Sequence, residues 1–445
     1  MGKAASQKEA WDIMQFMLGL IEKTSMGDER LTCLLDCASE IFQYCTDEQK
    51  QHFLSIMIPY LLNMANTDVG FSLRQVVSGP EFQSDNGMER TIIESPGMGK
   101  VQLSLNTTAI ECVMNAVRLI HNLIIDAHAM IMPYVEDIHK MVFSLMNFDF
   151  HEEVRTLCAK IMPQLLDLMV ENVKAGQSGP ESVNDYFNQV MTSLFQKYSE
   201  EDNATERLVV AEAIRDSLEI IYRSGNEDHH KFVNQRVAPS GETLASVLEL
   251  LASSITESVG ILEETYKAID FNDRDQEDAR NEFEETVGEE KGCVENLMDA
   301  VSFVIRLMGV NIQPLFEKFI QPISMKYMQS PFEYIKFTGV CMMDDMMQYA
   351  TPCMAGYVMD MMNFFSQNMQ CEDPALRQCV LYGIKIVVEK YADLIAPQAR
   401  VGRETKKELE IGLFIPIPIP IPIPIPIPIP WSEVSLIIVL SLVNV

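Results

Sequence analysis

Basic residues are scarce in this chain of 445 residues: 34 Lys and Arg stand against 64 Asp and Glu, giving a net charge of −30. A nucleic-acid binder needs cations that displace counterions from phosphate, so we expect no nucleic-acid partner. The same balance favours basic proteins, which an acidic surface attracts at long range. An acidic face that serves only solubility is the alternative interpretation.

Catalytic motifs are missing as well. The sequence contains no G-x-S-x-G and no H-E-x-x-H, and the segment 97–100 (GMGK) lacks the spacing of a phosphate-binding loop. Only seven histidines are present, and none has a neighbour that would make it a general base. We therefore expect a protein that is not an enzyme and that holds no cofactor and no metal.

The ten cysteines follow neither the spacing of a disulfide framework nor that of a zinc site. We therefore expect reduced thiols and a location in the cytoplasm and nucleus. Cys33 and Cys37 stand one helical turn apart on an apolar face, which predicts that both thiols lie in the core.

Alternation typical of strands is nearly absent, and apolar residues recur instead at intervals of three and four residues. Residues 151–155 and 373–377 share a polar or acidic start, an aliphatic residue and then Arg, each at a turn between two amphipathic patterns. This is the pattern of a HEAT-type helical hairpin. It predicts an all-α fold, an α-solenoid of about seven such hairpins over residues 1–397. The predicted helix pairs are 6–24 with 29–45, 47–66 with 103–125, 130–148 with 151–174, 181–200 with 204–223, 241–268 with 291–308, 313–328 with 332–349, and 354–369 with 375–391.

Two insertions interrupt the predicted repeats. Residues 67–100 are rich in Gly and Ser and contain a short β-like run at 90–94, which predicts a long loop inside the second pair. Residues 270–290 hold ten acidic residues and two Arg, which predicts an acidic loop or a frayed helix inside the fifth pair.

The end of the chain differs in kind. We expect a linker at 398–414, followed by eight Ile-Pro pairs at 415–430, which cannot form a helix and are predicted to be disordered. The apolar tail at 431–445 is too short to cross a bilayer, which needs about 20 apolar residues, so we expect no membrane partner. A membrane-anchored protein is an alternative that depends on this tail alone, and translation of a nucleotide repeat is another origin for it.

Candidate binding residues come from two acidic segments. Asp344 and Asp345 stand in an apolar helix that is the second of its pair, where carboxylates on a concave face would bind Lys and Arg of an extended peptide. Glu282, Glu284 and Glu285 belong to the acidic insertion and are further candidates for cargo binding. Solvent exposure without a binding role is the alternative for the two aspartates. The 29 methionines suit a core first and an adaptable binding surface second.

Four stretches resemble repeats of one family of helical-repeat proteins. The stretch at 140–168 (KMVFSLMNFDFHEEVRTLCAKIMPQLLDL) resembles a central repeat of that family, and 111–126 resembles the helix before it. Residues 337–349 (FTGVCMMDDMMQY) and 373–383 (DPALRQCVLYG) resemble later repeat helices, although Cys379 and Val380 stand where Ala is more usual. These stretches identify a resemblance to the importin-β-like karyopherins, in particular the importin 5 type. The acidic segment before Glu295 lies where that type carries an acid-rich insertion.

This resemblance implies a nuclear transport receptor that binds basic cargo signals, contacts Phe-Gly nucleoporins and releases cargo to Ran-GTP. It covers residues 49–397 and matches the central to C-terminal part of the family, so the repeats that make the main Ran contact are expected to be missing. The alternative is another HEAT-repeat interaction scaffold, such as a phosphatase or chromosome-associated regulatory subunit.

Overall fold

A computed structural model describes residues 2–75, 88–95, 99–226, 239–268 and 277–395. The predicted linker, Ile-Pro repeat and apolar tail lie outside these residues. The α-helices are α1 Gly2–Ile21, α2 Glu29–Phe42, α3 Asp47–Ala65, α4 Thr107–Ala127, α5 Val135–Leu145, α6 Glu152–Lys174, α7 Pro180–Glu200, α8 Ala204–Asn226, α9 Gly241–Ala268, α10 Glu277–Met308, α11 Gln313–Leu315, α12 Gln321–Met328, α13 Glu333–Tyr349, α14 Thr351–Met354, α15 Val358–Asn368 and α16 Pro374–Lys390. Short 3-10 turns at His128–Tyr134 and Gly309–Ile312 and a π turn at Phe316–Ile320 lie between them.

The chain divides into two compact units, one up to Pro239 and one from Ser240. In the first unit, α1 packs on α2, α3 on α4, α5 on α6 and α7 on α8. In the second unit, α9 packs on α10, α12 on α13 and α15 on α16. The predicted hairpins of an all-α HEAT-type fold are therefore confirmed. That residues 1–397 form one continuous stack stays a prediction.

Within each unit the second helices of neighbouring pairs also pack together. In the first unit α2 contacts α4, α4 contacts α6 and α6 contacts α8, while in the second unit α10 contacts α13 and α13 contacts α16. A second helix in the middle of a unit is therefore covered on several sides, because it meets its own partner and both neighbouring second helices. Such a helix is expected to be apolar around most of its circumference.

Three arginines stabilise the turns inside the hairpins. Arg155 Nη1 donates a hydrogen bond to the Phe148 carbonyl at 2.9 Å, and Arg377 Nη1 donates to the Cys371 carbonyl at 2.9 Å. Arg207 Nη1 donates to the Glu201 carbonyl at 3.3 Å. Each accepting carbonyl lies six or seven residues earlier in the chain, where the first helix has ended. The Arg of the predicted hairpin pattern therefore ties the second helix to the turn before it.

Helix capping explains where several helices begin. Thr46 and Gln49 form a reciprocal capping box at the start of α3. Asp373 accepts a hydrogen bond from the Leu376 backbone N–H at 2.7 Å, and Pro374 occupies the first turn of α16, where a missing N–H costs nothing.

The insertion predicted as a loop at 67–100 carries a small sheet instead. Strands β1 (Ser72–Gln75), β2 (Met88–Ser95) and β3 (Gly99–Asn106) are antiparallel, with β3 in the centre. Strand β3 has the sequence GKVQLSLN, in which polar and apolar residues alternate, and this alternation favours a strand. Residues 103–106, which the apolar spacing predicts as the start of a helix, belong to β3. The helix that follows, α4, begins only at Thr107.

The acidic insertion at 270–290 is helical from Glu277 onward, because α10 begins there and continues to Met308. Residues 269–276 lie outside the described part of the chain. Of the two predicted alternatives, loop or helix, the helix therefore holds for the segment that contains Glu282, Glu284 and Glu285.

The core prediction for Cys33 and Cys37 is wrong. Both thiols are exposed on α2, whereas Leu31, Leu35 and Ala38 of the same helix are buried. Residues 33 and 37 are one turn apart and so share a face, and that face turns away from the partner helix α1 and towards solvent.

Two stretches of described residues are long and apolar enough to span a membrane, Thr107–Leu145 and Gly241–Lys267. In their most apolar windows, 56% and 50% of residues are buried inside the protein. The first stretch is interrupted at His128, whose φ is +42°, so it is not one straight helix. Both stretches supply helices of the repeat cores.

Candidate partner-binding face of the second unit

The candidate site lies where α10, α13 and α16 pack side by side. The central helix, α13, contacts both of the others and also its own partner α12. Met342, Met343, Met346 and Met347 of α13 are each at most 1% exposed, so the core interpretation of this methionine cluster is confirmed. The two predicted aspartates stand between these methionine pairs.

Asp344 lies in the core and is 2% exposed. Its Oδ2 accepts a hydrogen bond from Cys379 Sγ on α16 at 3.3 Å. Burial raises the pKa of Asp344 well above its usual value, the bond from Cys379 opposes this shift, and the charge of Asp345 adds to it. A carboxylate in this position cannot reach a bound peptide, so the cargo-binding role predicted for Asp344 does not fit the structure. The physical reason is that α13 is enclosed by three helices.

Close packing around Asp344 depends on Gly383 of α16. A Cβ atom at Gly383 would lie 2.5 Å from Asp344 Oδ1 and would also collide with the ring of Phe365. The absence of a side chain at this position lets α16 approach α13. This brings Cys379 within hydrogen-bonding distance of the carboxylate.

Asp345 is partly buried and faces α10. Burial raises its pKa to about 6, while the nearby Arg306 and Ser302 lower it and Asp299 raises it. At neutral pH this carboxylate is therefore mostly ionised, and of the two aspartates it is the one that can meet a cation from solvent.

Two tyrosines extend this surface. Tyr349 on α13 and Tyr382 on α16 are each 36% exposed. The Arg306 guanidinium lies 4.2 Å from the centre of the Tyr349 ring, a cation–π contact. Tyr382 is close enough to Asp345, Tyr349 and Arg306 to interact with them electrostatically. We call Arg306, Asp345, Tyr349 and Tyr382 the tyrosine patch.

The structure does not bring the acidic insertion to the tyrosine patch. Glu284 is exposed near the start of α10, and it stands 22 residues before Arg306 on the same helix (306 minus 284). At about 1.5 Å per residue, this separation is about 33 Å along the helix axis. Glu282 and Glu285 lie in the same turns of α10. The three glutamates therefore belong to one acidic segment of α10, and Asp345 on α13 is a separate acidic position.

A methionine-lined cavity of about 200 Å³ opens on the side of the first helices. It lies between α12, α13 and α15, and its apolar wall consists of Met325, Met328, Met343, Met361, Tyr357 and Phe364. The sequence does not predict this cavity, because its four wall methionines are spread along the chain and meet only in the fold. The first and the last of them, Met325 and Met361, are 36 residues apart.

Groups of three or more His, Cys, Asp or Glu side chains that could hold a metal ion are not found among the described residues. The chemistry available on this face is recognition: a carboxylate, an arginine that is already paired, and two aromatic rings.

The comparison with models of protein families found no match. A probable importin-5 homologue from Dictyostelium discoideum is 22% identical over an alignment 422 residues long, which covers 89% of this chain and 34% of that protein. The predicted resemblance to importin-β-like karyopherins is confirmed. The chain spans about a third of the length of this relative.

Solved structures show the same fold. The crystal structure of Kap121p superposes with a TM-score of 0.65 at 13% identity, over 92% of this chain and 36% of that one. Kap121p bound to Pho4p gives a TM-score of 0.63 at 14% identity, over 92% of this chain and 36% of that one. Kap121p bound to Nup53p gives 0.64 at 14% identity, over 92% and 35%.

Proposed function

We propose that this chain is part of an importin-like nuclear transport receptor and that it binds basic segments of cargo proteins. The observation that carries this proposal is its similarity to an importin-5 homologue over 89% of the chain. Two of the similar structures hold a bound protein, Pho4p or Nup53p, which supports a binding role for this type of helical repeat. The excess of 64 acidic over 34 basic residues favours basic partners.

The tyrosine patch is the proposed contact for a Lys or Arg of the cargo. Asp345 supplies the charge, and Tyr349 and Tyr382 supply ring faces that attract cations. Arg306 already contacts the Tyr349 ring and lies near enough to Asp345 for its charge to lower the pKa of that carboxyl. An incoming cation therefore competes with Arg306, which makes the patch selective for segments with several basic residues. Glu284 and its neighbours on α10 give a second, separate acidic contact for the same segment.

The test is the affinity of a fluorescent Lys-rich peptide, measured by anisotropy at about 50 mM and about 500 mM NaCl. We expect binding to weaken about tenfold or more with salt, since exposed charges are screened. Asp345→Asn should weaken binding about fivefold, which corresponds to about 1 kcal/mol. Asp36→Asn is the matched control, because Asp36 is an exposed aspartate on α2 and its loss removes the same charge. This mechanism would be contradicted by a peptide affinity that is the same at both salt concentrations. Equal losses of affinity in Asp345→Asn and Asp36→Asn would also contradict it.

We propose that the methionine-lined cavity takes a Phe side chain of a Phe-Gly nucleoporin. Methionine adapts to aromatic groups and contacts them favourably, and the cavity volume of about 200 Å³ suits one ring. Asp360→Asn at the rim should leave Phe-Gly peptide binding intact, whereas Met325→Glu should abolish it. Loss of binding in both variants, or in neither, would argue against this site.

Regulation by Ran-GTP and shuttling between cytoplasm and nucleus are proposed with the receptor role. Ran-GTP should release the Lys-rich peptide if this part of the receptor responds to it, and imaging of the tagged chain should show both compartments. A single stoichiometric partner and indifference to Ran-GTP would favour a different HEAT-repeat scaffold.

A further inference from the structure

Two thiols meet across the α13–α16 contact. Cys341 Sγ on α13 lies 3.4 Å from Cys379 Sγ on α16. Cys379 is 8% exposed, whereas Cys341 is partly exposed. A disulfide needs an S–S distance of about 2.05 Å, so the two sulfur atoms have to approach by about 1.4 Å.

The pair is asymmetric in a way that assigns a role to each thiol. Cys341 is the more accessible sulfur, so it meets a small oxidant from solvent first. Cys379 is enclosed, and its Sγ donates a hydrogen bond to Asp344 Oδ2 at 3.3 Å. The contact with Cys341 and burial raise the pKa of Cys379 well above its usual value, so this thiol stays protonated until a base takes its proton. Asp344 is the base in contact with it.

We propose that Cys341 and Cys379 are a redox-modification site, in which a hydroperoxide oxidises Cys341 and Cys379 resolves it to an intramolecular disulfide that joins α13 to α16. This site is independent of the proposed transport function. No other protein is needed, and the oxidant is a small peroxide such as hydrogen peroxide.

The steps balance. The Cys341 thiolate attacks one peroxide oxygen, the O–O bond breaks, and Cys341 becomes a sulfenic acid while hydroxide leaves and takes up the proton that Cys341 released. Cys379 then gives its proton to Asp344, and its sulfur attacks Cys341. The S–S bond forms, the S–O bond breaks, and the departing hydroxide takes the proton from Asp344 to form water. In sum, two thiols lose two electrons and two protons, and one hydrogen peroxide becomes two water molecules.

Asp344 acts here as a positioning residue and a proton acceptor. Its Oδ1 has no hydrogen-bond partner among the described residues, so the hydrogen bond from Cys379 to Oδ2 is the main polar contact of this carboxyl group. Burial, which raises its pKa, makes it a stronger base than an ordinary aspartate once it is ionised. The resolving step should therefore become faster as the pH rises.

The experiment treats the intact protein with hydrogen peroxide, alkylates the remaining thiols and maps the tryptic peptides by mass spectrometry. Cleavage after Lys336, Arg377 and Lys385 releases residues 337–377, which contain Cys341, and residues 378–385, which contain Cys379. We expect these two peptides to be linked, with a mass two hydrogens below their sum, and to separate on reduction.

Residues 337–377 also contain Cys353 and Cys371, so variants assign the bond. Cys341→Ser should abolish the linkage, while Cys371→Ser, which removes a partly exposed thiol from the same peptide, should keep it. In Cys379→Ser and in Asp344→Asn, dimedone should trap more sulfenic acid at Cys341 than in the unaltered protein. If Asp344→Asn fails to fold, the Cys379→Ser result alone decides the resolving role.

The proposal is overturned if the linkage survives in Cys341→Ser. It is also overturned if peroxide converts Cys341 to sulfinic acid in the unaltered protein while Cys379 remains a free thiol.

Discussion

Replacement of Arg155 by Met tests whether the arginine of the hairpin pattern holds the third and fourth pairs together. Arg155 Nε donates to Glu206 Oε2 at 2.7 Å, its Nη2 pairs with Glu206 Oε1, and its Nη1 binds the Phe148 carbonyl at 2.9 Å. The two charged side chains are 16% and 5% exposed. Methionine keeps most of the apolar stem but leaves the Glu206 carboxylate enclosed without this partner.

Removing one partner of a buried ion pair costs about 3–5 kcal/mol, because the remaining charge stays desolvated. We therefore expect Arg155→Met to lower the free energy of unfolding of the first unit by about that amount. In the double variant with Glu206→Leu the enclosed Glu206 carboxylate is removed as well, and Glu201 keeps its pair with Lys197, so the cost should fall short of the sum of the single costs by about 1–3 kcal/mol. Arg377→Met is the matched control: this arginine also binds a turn carbonyl, and the salt bridges found among the described residues do not include it. Its loss should cost about 1 kcal/mol.

The assay is urea unfolding followed by far-ultraviolet circular dichroism, with hydrogen exchange of α6 and α8 to assign the transition to the first unit. If Arg155→Met stays within about 0.5 kcal/mol of the unaltered protein, the pair is not desolvated as its burial indicates. If the effects of the two single variants are simply additive, the bond between Arg155 and Glu206 has no energetic role.

Two further outcomes follow from the second unit. Gly383→Ala should destabilise it by about 1–3 kcal/mol, since the new Cβ would collide with Phe365 and with Asp344 Oδ1, whereas Gly356→Ala meets nothing within 4 Å and should be nearly neutral in urea unfolding. Asp345 has its pKa raised from 3.8 to about 6 in the fold, so its stabilising contribution is complete below pH 3.8 and is lost as the pH rises through about 6. The stability advantage of the unaltered protein over Asp345→Asn should therefore shrink by about 2 kcal/mol between pH 4 and pH 7, and an advantage that grows with pH would refute the assignment.

Helix pairing could be predicted because periodicity reports local geometry. Apolar spacing of three and four residues placed most helix bounds within a few residues, and the segments 151–155 and 373–377 both stand at a hairpin turn. Arg207 makes the same turn contact as Arg155 and Arg377 but was missed, because it stands in an acid-rich stretch without the expected acidic-aliphatic-Arg order. The bond to the turn carbonyl, rather than the full pattern, is what these hairpins have in common.

The apolar pattern along the sequence did not predict features that depend on how neighbouring elements pack or follow one another. The alternation in β3 is only eight residues long and runs directly into the apolar pattern of α4, so the helix predicted from apolar spacing includes residues 103–106 of the strand. Cys33 and Cys37 share a helical face with each other, but the positions of α1 and α4 decide which face of α2 is covered. The methionine-lined cavity likewise exists only because side chains of α12, α13 and α15 meet around it.

The pair Asp344-Asp345 shows why the candidate site could be predicted only in part. Adjacent residues on a helix point about 100° apart, so one pair can serve two environments. Asp344 faces Cys379 and Gly383 inside the α13–α16 contact, whereas Asp345 faces Arg306 and the exposed tyrosines. A variant that changes both aspartates would mix a packing defect with a loss of surface charge. Asp345→Asn alone reports on partner binding, and Asp344→Asn alone reports on the thiol pair, so the two proposals can fail independently.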